Sequence, residues 1–401
     1  MLNGSLSFFY LLAGYPLHLI IGFGMQPRVL IVTTEAPDVL FSGLGFFNEH
    51  FWAELKRRNY PFKVLYLNNQ KTAHSQLADY EIAVEPALPL DSSLESLSLN
   101  VAWSTAQKIQ PLLNEFKPDI ISVHENSPLL PFFFELKRVQ FTLHSSYIGM
   151  QHYLTRTQKG MQHYWEQRIA VRQSGAVVLH SDWAHRSVIQ HVSADIVPPH
   201  LFPIGVNFAD YPADKVPHPE GKVVISFFGR FTDIVKNFLI FRDAINTLPP
   251  TYRQRIEARV YGPEKIPDYM EKEGFKGLTF VQGEEKKQAL AETDIVVFPS
   301  MQESYGIVGL EALLSNCALI ATPGLGMDSY MQPEYACEPT IAAIQKRIIT
   351  YLSDVEQLRK DQKAQIFRNS VNRPEFTLGK MTESYIAVWQ ELHKKLKKER
   401  Q

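Results

Sequence analysis

Two carboxylates and a glycine-opened helix start stand together in P-S-M-Q-E-S-Y-G-I-V-G-L-E-A-L-L-S-N-C-A-L-I-A, residues 299–321. Glu303 sits on a turn just after the strand-like run D-I-V-V-F-P, and Glu311 lies in G-I-V-G-L-E-A-L-L among apolar neighbours. A carboxylate in such surroundings is costly unless something fixed binds it. Two acids flanking a helix N-terminus can form a pocket in which the helix amides hold an anion and the carboxylates accept from hydroxyls. A sugar nucleotide has both kinds of group. The plainer reading is a helix that carries Glu in its first turns because the macrodipole favours it. These residues alone leave both readings open.

Parallel α/β sheets bind ligands beyond the carboxyl ends of their strands, so residues placed directly after strand runs matter most. Gly229 and Arg230 follow V-V-I-S-F-F, and Lys236 comes six residues after Arg230 in G-R-F-T-D-I-V-K-N. Two cations on one strand-to-helix loop can neutralise a diphosphate, Arg through its planar fork and Lys as a compact charge. Without context a pair of solvated loop cations is the commoner case. In F-S-G-L-G-F-F-N, Gly43 and Gly45 would let the backbone approach a phosphate or sugar. Asn48 stands where G-x-G-x-x-G needs its last glycine, so the dinucleotide fingerprint is absent. His144 ends V-Q-F-T-L-H and His124 ends D-I-I-S-V-H, where a histidine can bond a substrate hydroxyl, carry a proton or simply pack. The thirteen histidines include no H-E-x-x-H, and neither an Asp-x-Asp pair nor a G-x-S-x-G elbow occurs, so neither a metal nor serine hydrolysis is expected.

The elements needed to position these groups are visible as alternation. R-V-L-I-V-T, F-K-V-L-Y-L, D-I-I-S-V-H, V-Q-F-T-L-H and A-V-V-L-H are short apolar runs separated by amphipathic stretches. That pattern suits buried parallel strands in a doubly wound sheet. The connector from Val197 to Gly221 is rich in proline and marks a domain boundary. A second series comes next, with V-V-I-S-F-F, A-R-V-Y, L-T-F-V from Leu278, D-I-V-V-F and A-L-I-A-T. The expected architecture is α/β: two Rossmann-like doubly wound domains facing across a cleft. The expected division is a leader over 1–24, an acceptor-side domain over 25–205 and a linker over 206–221. A donor-side domain over 222–375 and a C-terminal helix over 376–401, packing back on the first domain, complete it. In that last segment Tyr385, Val388, Trp389 and Leu392 share one helical face.

Composition bounds the rest. With 45% hydrophobic and 21% charged residues, a chain of 401 can bury two sizeable cores. A net charge of −1 argues against nucleic-acid binding. Two cysteines make no disulfide framework and fit a reducing, cytoplasmic setting. Residues Met1 to Gly24 carry no Lys, Arg, Asp or Glu and are long enough to span a bilayer, but no positive n-region precedes them. Met25 then opens M-Q-P-R-V-L-I-V-T-T like an ordinary first strand. An over-called start with Met25 as initiator is preferred; a membrane anchor and a signal peptide stay open. Membrane association would run through residues 1–24 or through the basic C-terminal helix.

Taken together the motifs resemble those of the GT-B glycosyltransferases of the retaining family 4 type, the glycosyl transferases group 1. The resemblance covers most of the chain after Met25 and is strongest from Val223 to Pro323. E-S-Y-G-I-V-G-L-E matches the family's E-x7-E element. The resemblance implies that Glu303 faces the donor sugar, that Glu311 holds the nucleotide ribose, and that the amides of Gly306 and Ile307 face sugar or diphosphate. It likewise assigns Arg230 and Lys236 to the donor phosphates, Gly262, Gln282 and Gly283 to nucleotide-side loops, His144 to the crevice, and Gly43 to the N-terminal glycine loop. Three departures stand out: Ser42 replaces the first Gly of the usual pair, Asn316 sits where a Gly usually follows the helix of the second Glu, and P-G-L-G-M-D replaces Gly-Gly-x-x-Glu. The resemblance further implies a metal-independent hexosyl transfer with retention and no cofactor. The donor would be a sugar nucleotide, and the acceptor a hydroxyl on a glycan, lipid or other molecule. Trp52, Tyr147, Tyr153 and Trp165 could stack on the acceptor, although such residues are more often core. A non-catalytic nucleotide-sugar-binding module and another GT-B enzyme, such as a nucleotide-sugar epimerase or a phosphorylase, are the alternatives.

Overall fold

The computed structural model describes residues 26–39, 43–68, 74–83, 94–125, 134–144, 158–192, 198–262, 265–278 and 281–401, without side chains for 94–103, 125 and 158–163. The leader, Ser42, Tyr147 and Tyr153 lie outside the described residues.

Two parallel sheets carry the chain. Among the described residues the first has seven strands: β1 (Val29–Thr33), β2 (Phe62–Asn68), β3 (Tyr80–Ala83), β4 (Ile120–Glu125), β5 (Val139–Leu143), β6 (Ala176–Leu179) and β7 (His200–Leu201). Their order is β3-β2-β1-β4-β5-β6-β7. The second has β8 (Val223–Phe228), β9 (Ile256–Tyr261), β10 (Phe275–Leu278), β11 (Ile295–Phe298) and β12 (Ala318–Ala321), ordered β10-β9-β8-β11-β12. Every pairing is parallel, with Val29 opposite Phe62 and Ile120, and Ile295 opposite Ile225 and Ala318. This is the α/β alternation that the apolar runs imply, because strands covered on both faces are apolar throughout. In β1, Val29 and Ile31 feed one core while Leu30 and Val32 feed the other.

One expected strand, L-T-F-V, falls partly outside the described residues, at 279–280. The third strand of the second series that the structure describes is F-K-G-L, Phe275–Leu278. It lies at a sheet edge and only Phe275 is buried, so no continuous apolar run marks it. The strands β3 and β7 also escape notice, being short and half-exposed at the edges.

The order of strands reverses between β1 and β4 in the first sheet and between β8 and β11 in the second. Such switch points leave a crevice beyond the strand ends. The two halves also touch directly. Val206 pairs with Thr377, so the chain passes between halves twice, side by side. Beyond that second passage the helix Leu378–Glu399 lies on the first sheet's unit. Tyr385 and Trp389 are fully buried there, with the Tyr385 ring 4.7 Å from Phe51 and Trp389 5.4 Å from Tyr60. Among the described residues no helix is long and apolar enough to cross a membrane.

Candidate active site

The loops after β8 and β11 meet at the second switch point. After β8, Asp233 caps the short turn Ile234–Lys236 by accepting from the Val235 amide at 3.0 Å, and its other oxygen holds Arg230 at 2.9 Å. Asn237 takes a left-handed conformation, its side chain donating to the Pro299 carbonyl. The Met301 amide donates to the Val235 carbonyl at 2.9 Å. The two loops are thereby stitched together, and Lys236 Nζ comes 2.5 Å from Glu303 Oε2. Lys236 also lies 5.2 Å from the centre of the Phe298 ring. Both charged groups stay partly open to solvent, at 23% and 15% exposure, as a site that receives a ligand requires. Arg230 is 63% exposed and turned to Asp233, so the structure joins Lys236 to Glu303 but leaves Arg230 on the rim.

Three residues after Glu303, Gly306 takes φ 76° and opens the helix Ile307–Leu314 with no side chain capping it. Its first amides are therefore left without the usual side-chain partner. Only glycine fits here: a Cβ at Gly306 would lie 2.6 Å from Met327 Cγ and 3.0 Å from Glu303 Cγ. The segment P-G-L-G-M-D packs against this turn. Gly326 donates its amide to the Glu303 carbonyl at 2.8 Å, and a Cβ on it would lie 2.1 Å from the Ser304 carbonyl oxygen. The departure from Gly-Gly-x-x-Glu thus keeps a glycine where the turn demands one. Asn316 has a similar explanation. It sits at φ 54°, a region asparagine tolerates. Its side chain donates to the Ala213 carbonyl at 2.6 Å and accepts from the Arg368 amide at 3.2 Å.

Glu311 is entirely shielded from solvent. Its Oε1 accepts from the Tyr211 hydroxyl at 2.8 Å, and Lys286 Nζ lies 2.5 Å from Oε2. Burial and the adjacent carboxylate push the Tyr211 hydroxyl well above its ordinary pKa, so it stays a donor. Lys286 also lies over the Phe46 ring of the first half at 5.1 Å and so bridges the crevice. Gly229 and Gly262 end β8 and β9, where Gly229 donates to the Tyr261 carbonyl at 2.8 Å. Gln282 is exposed beside Gly283 at the start of the helix Gly283–Glu292.

Across the crevice, Gly43 and Gly45 lie in the first turn of the helix Gly43–Arg57, not in a loop. The Gly45 amide donates to Glu35 Oε2 at 3.2 Å, a carboxylate drawn to a helix N-terminus. A Cβ at Gly43 would meet nothing. Trp52 is core, and Trp165 is 52% exposed with Arg168 stacked on it at 4.8 Å.

His124 and His144 belong to a buried network that fixes their tautomers. Trp389 Nε1 donates to Gln140 Oε1 at 3.1 Å, which identifies that atom as the oxygen. Ser122 then donates to the same oxygen and must accept from His124 Nε2 at 2.8 Å. His124 Nδ1 is left to accept from His144 Nε2 at 3.3 Å, so His144 keeps its Nδ1 as an acceptor. On the other branch Gln140 donates to Thr142, Thr142 to Tyr385, and Tyr385 to His180 Nε2 at 3.1 Å. His180 closes the chain by donating from Nδ1 to the Phe202 carbonyl at 3.0 Å. Every donor has its acceptor while all three rings are neutral. An added proton would find none. Burial above all holds His124 at about 3 and His180 at about 4, and with His180 and His124 nearby it keeps His144 well below its usual value.

Residues 41–210 match the family model described as Glycosyltransferase Family 4, and residues 222–354 match that described as Glycosyl transferases group 1. The chain is a GT-B glycosyltransferase of this group. Among solved structures, sucrose-phosphate synthase from Thermosynechococcus elongatus superposes with a TM-score of 0.73 at 15% identity, covering 91% of this chain and 99% of that one. HepE from Anabaena, solved with UDP-glucose, gives 0.65 at 15%, over 92% and 99%. The α,α-trehalose 6-phosphate synthase from Burkholderia multivorans gives 0.66 at 12%, over 91% and 99%. No curated protein matches the sequence.

Several residues of this candidate site carry no clear mark in the sequence. Tyr211 reaches Glu311 from the proline-rich connector, and Lys286 does so from a polar helix. Ser181 donates to the Ser304 carbonyl at 2.6 Å, and Tyr305 to the Ile204 carbonyl at 2.9 Å, tying the Glu303 turn to the first domain. His180 does have a signal: it ends A-V-V-L-H just as His144 ends its own strand run.

Proposed function

We propose that this glycosyltransferase moves a hexose from a nucleoside-diphosphate sugar to an acceptor hydroxyl with retention and without a metal ion. The observation that carries the reading is the contact between Lys236 and Glu303 beside the glycine-opened helix. Lys236 is held in reach of Glu303 and of an incoming diphosphate alike. As the glycosidic bond breaks, negative charge collects on the leaving diphosphate and the sugar gains oxocarbenium character. Lys236, a recruited Arg230 and the amides of Gly306 and Ile307 stabilise the first charge. Glu303 accepts from sugar hydroxyls and faces the second. His144 offers Nδ1 to a substrate hydroxyl. Gly43, Gly45, Gly229, Gly262 and Gln282 frame the donor. Glu311 takes the ribose once Lys286 swings off its carboxylate. Closure of the halves excludes water and brings the acceptor hydroxyl to the face the diphosphate leaves. The setting we propose is cytoplasmic, at a membrane face.

The test is donor turnover in Glu303→Gln and Arg230→Ala variants that keep the native circular dichroism. Loss of about a hundredfold or more, the usual cost of removing one charge-stabilising group, is the expected result. Normal turnover in both variants would show the assigned roles to be wrong.

A further inference from the structure

A cavity of about 670 Å³ opens far from the crevice. Arg28 precedes β1, Asp119 precedes β4 and Arg138 precedes β5, so the cavity lies at the amino ends of the first sheet. The crevice lies beyond the carboxyl ends, roughly 15–20 Å away along strands of this length.

Six basic side chains line this cavity: Arg28, Lys117 and Arg138 from the sheet's base, and His393, Lys397 and Arg400 from the terminal helix and its end. Among the described residues Asp119 is the only acid in the lining, and it is already engaged. Its Oδ2 accepts from the Arg28 amide at 2.8 Å, with Arg28 Nε 3.8 Å away. Arg138 spends donors on the Pro118 and Asp119 carbonyls and lies 4.0 Å from the Glu135 carboxylate. Among the described residues no acid pairs with Lys117, Lys397 or Arg400. Cations gathered around one concavity repel each other and concentrate a positive potential there. Burial above all holds the His393 imidazole below its ordinary value; Asp119 pulls it up, and Lys397 and Arg400 push it down. A chain of net charge −1 has no general excess of base to account for such a cluster.

One further feature identifies the anion's source. The terminal helix adds Lys394, Lys395 and Lys398 beside the cavity's own Lys397. A cluster of about four to eight basic residues on an amphipathic helix is what holds a protein on an anionic bilayer. We infer that the cavity binds the phosphate of an anionic phospholipid headgroup and seats the base of the first domain on a membrane. The crevice, at the other end of the sheet, then faces away from the bilayer. This inference does not depend on the sugar chemistry.

The full chain, sedimented with phosphatidylcholine vesicles containing one quarter phosphatidylglycerol, should bind, and with phosphatidylcholine alone should not. Each basic residue near such a surface contributes about fivefold in affinity, so Lys117→Glu with Lys397→Glu and Arg400→Glu should weaken binding by about a hundredfold or more. A charge-matched control, Lys272→Glu with Lys346→Glu and Lys363→Glu on the far half, should bind as the parent does. Donor turnover should be unchanged in both triple variants. Equal binding to both vesicle types, or a cavity variant that binds like the parent or like the control, overturns the proposal. So does tight binding of soluble glycerol phosphate without any binding to vesicles, since the anion would then be a free metabolite.

Discussion

Mild acid should destabilise the first domain well before ordinary carboxylates titrate. In the folded chain His124 and His180 are held at about 3 and about 4 by burial, while an unfolded histidine titrates near 6.5. Below that value the unfolded chain binds protons that the folded chain refuses, so stability falls as the pH falls. The contribution is complete above the unfolded value and is lost progressively down to the folded ones. For each ring the loss is about 1 kcal/mol at pH 6 and about 2 kcal/mol at pH 5, or about 4 kcal/mol at pH 5 for the two. His144 shifts in the same direction and adds to it. That is a large part of a typical domain's stability, roughly 5–15 kcal/mol. Urea unfolding at constant ionic strength between pH 7.5 and pH 5 measures it. His124→Phe gives the internal check. This ring packs among Phe47, Phe51 and Tyr385, so the variant should fold. It should be weaker at neutral pH because Ser122 loses its donor, yet lose about 2 kcal/mol less than the parent on acidification to pH 5. A stability curve flat between pH 7 and pH 5, or an identical slope in parent and variant, would refute the neutral network.

Tyr211→Phe removes a hydrogen bond to a fully buried carboxylate and should cost about 1.5–3 kcal/mol in urea unfolding, with little loss of packing. A change under a few tenths would mean that Lys286 alone satisfies Glu311. Gly326→Ala drives a methyl against the Ser304 backbone, so the Glu303 turn must move. Donor turnover should fall by at least about tenfold even where the variant stays folded, since small misplacements of reacting groups are costly. Turnover like the parent's would show that the turn tolerates the shift.

How much of the fold and site was legible depended on how each residue meets its neighbours. The central strands read clearly because both faces are covered, as in V-L-I-V-T of β1, where every residue is buried. Phe275–Leu278 did not, because an edge strand need bury only one residue in four. Glu303 and Lys236 could be picked out since each lies on the loop that follows a strand run. Their contact, 67 positions apart in sequence, comes from the stitching of two loops that no local pattern announces. The partners of Glu311 were hidden for the same reason: Tyr211 is 100 positions away in a proline-rich segment. The histidine network left a fainter trace. Ser122 and His124 alternate along β4, and Gln140 and Thr142 along β5, two polar stripes inside buried strands that call for mutual partners. Only Tyr385 and Trp389, from the far end of the chain, complete them, and that docking depends on tertiary packing.

The central claim is that an activated sugar lies in the crevice with its diphosphate on Lys236. Calorimetric titration of the chain with UDP-, GDP- and ADP-hexoses, repeated on Lys236→Ala, tests it most directly. One donor class should bind the parent, and the variant should bind it about tenfold to a hundredfold more weakly, as expected for losing one charge-assisted contact. Failure of all three classes to bind, or equal affinity in parent and variant, would contradict the account.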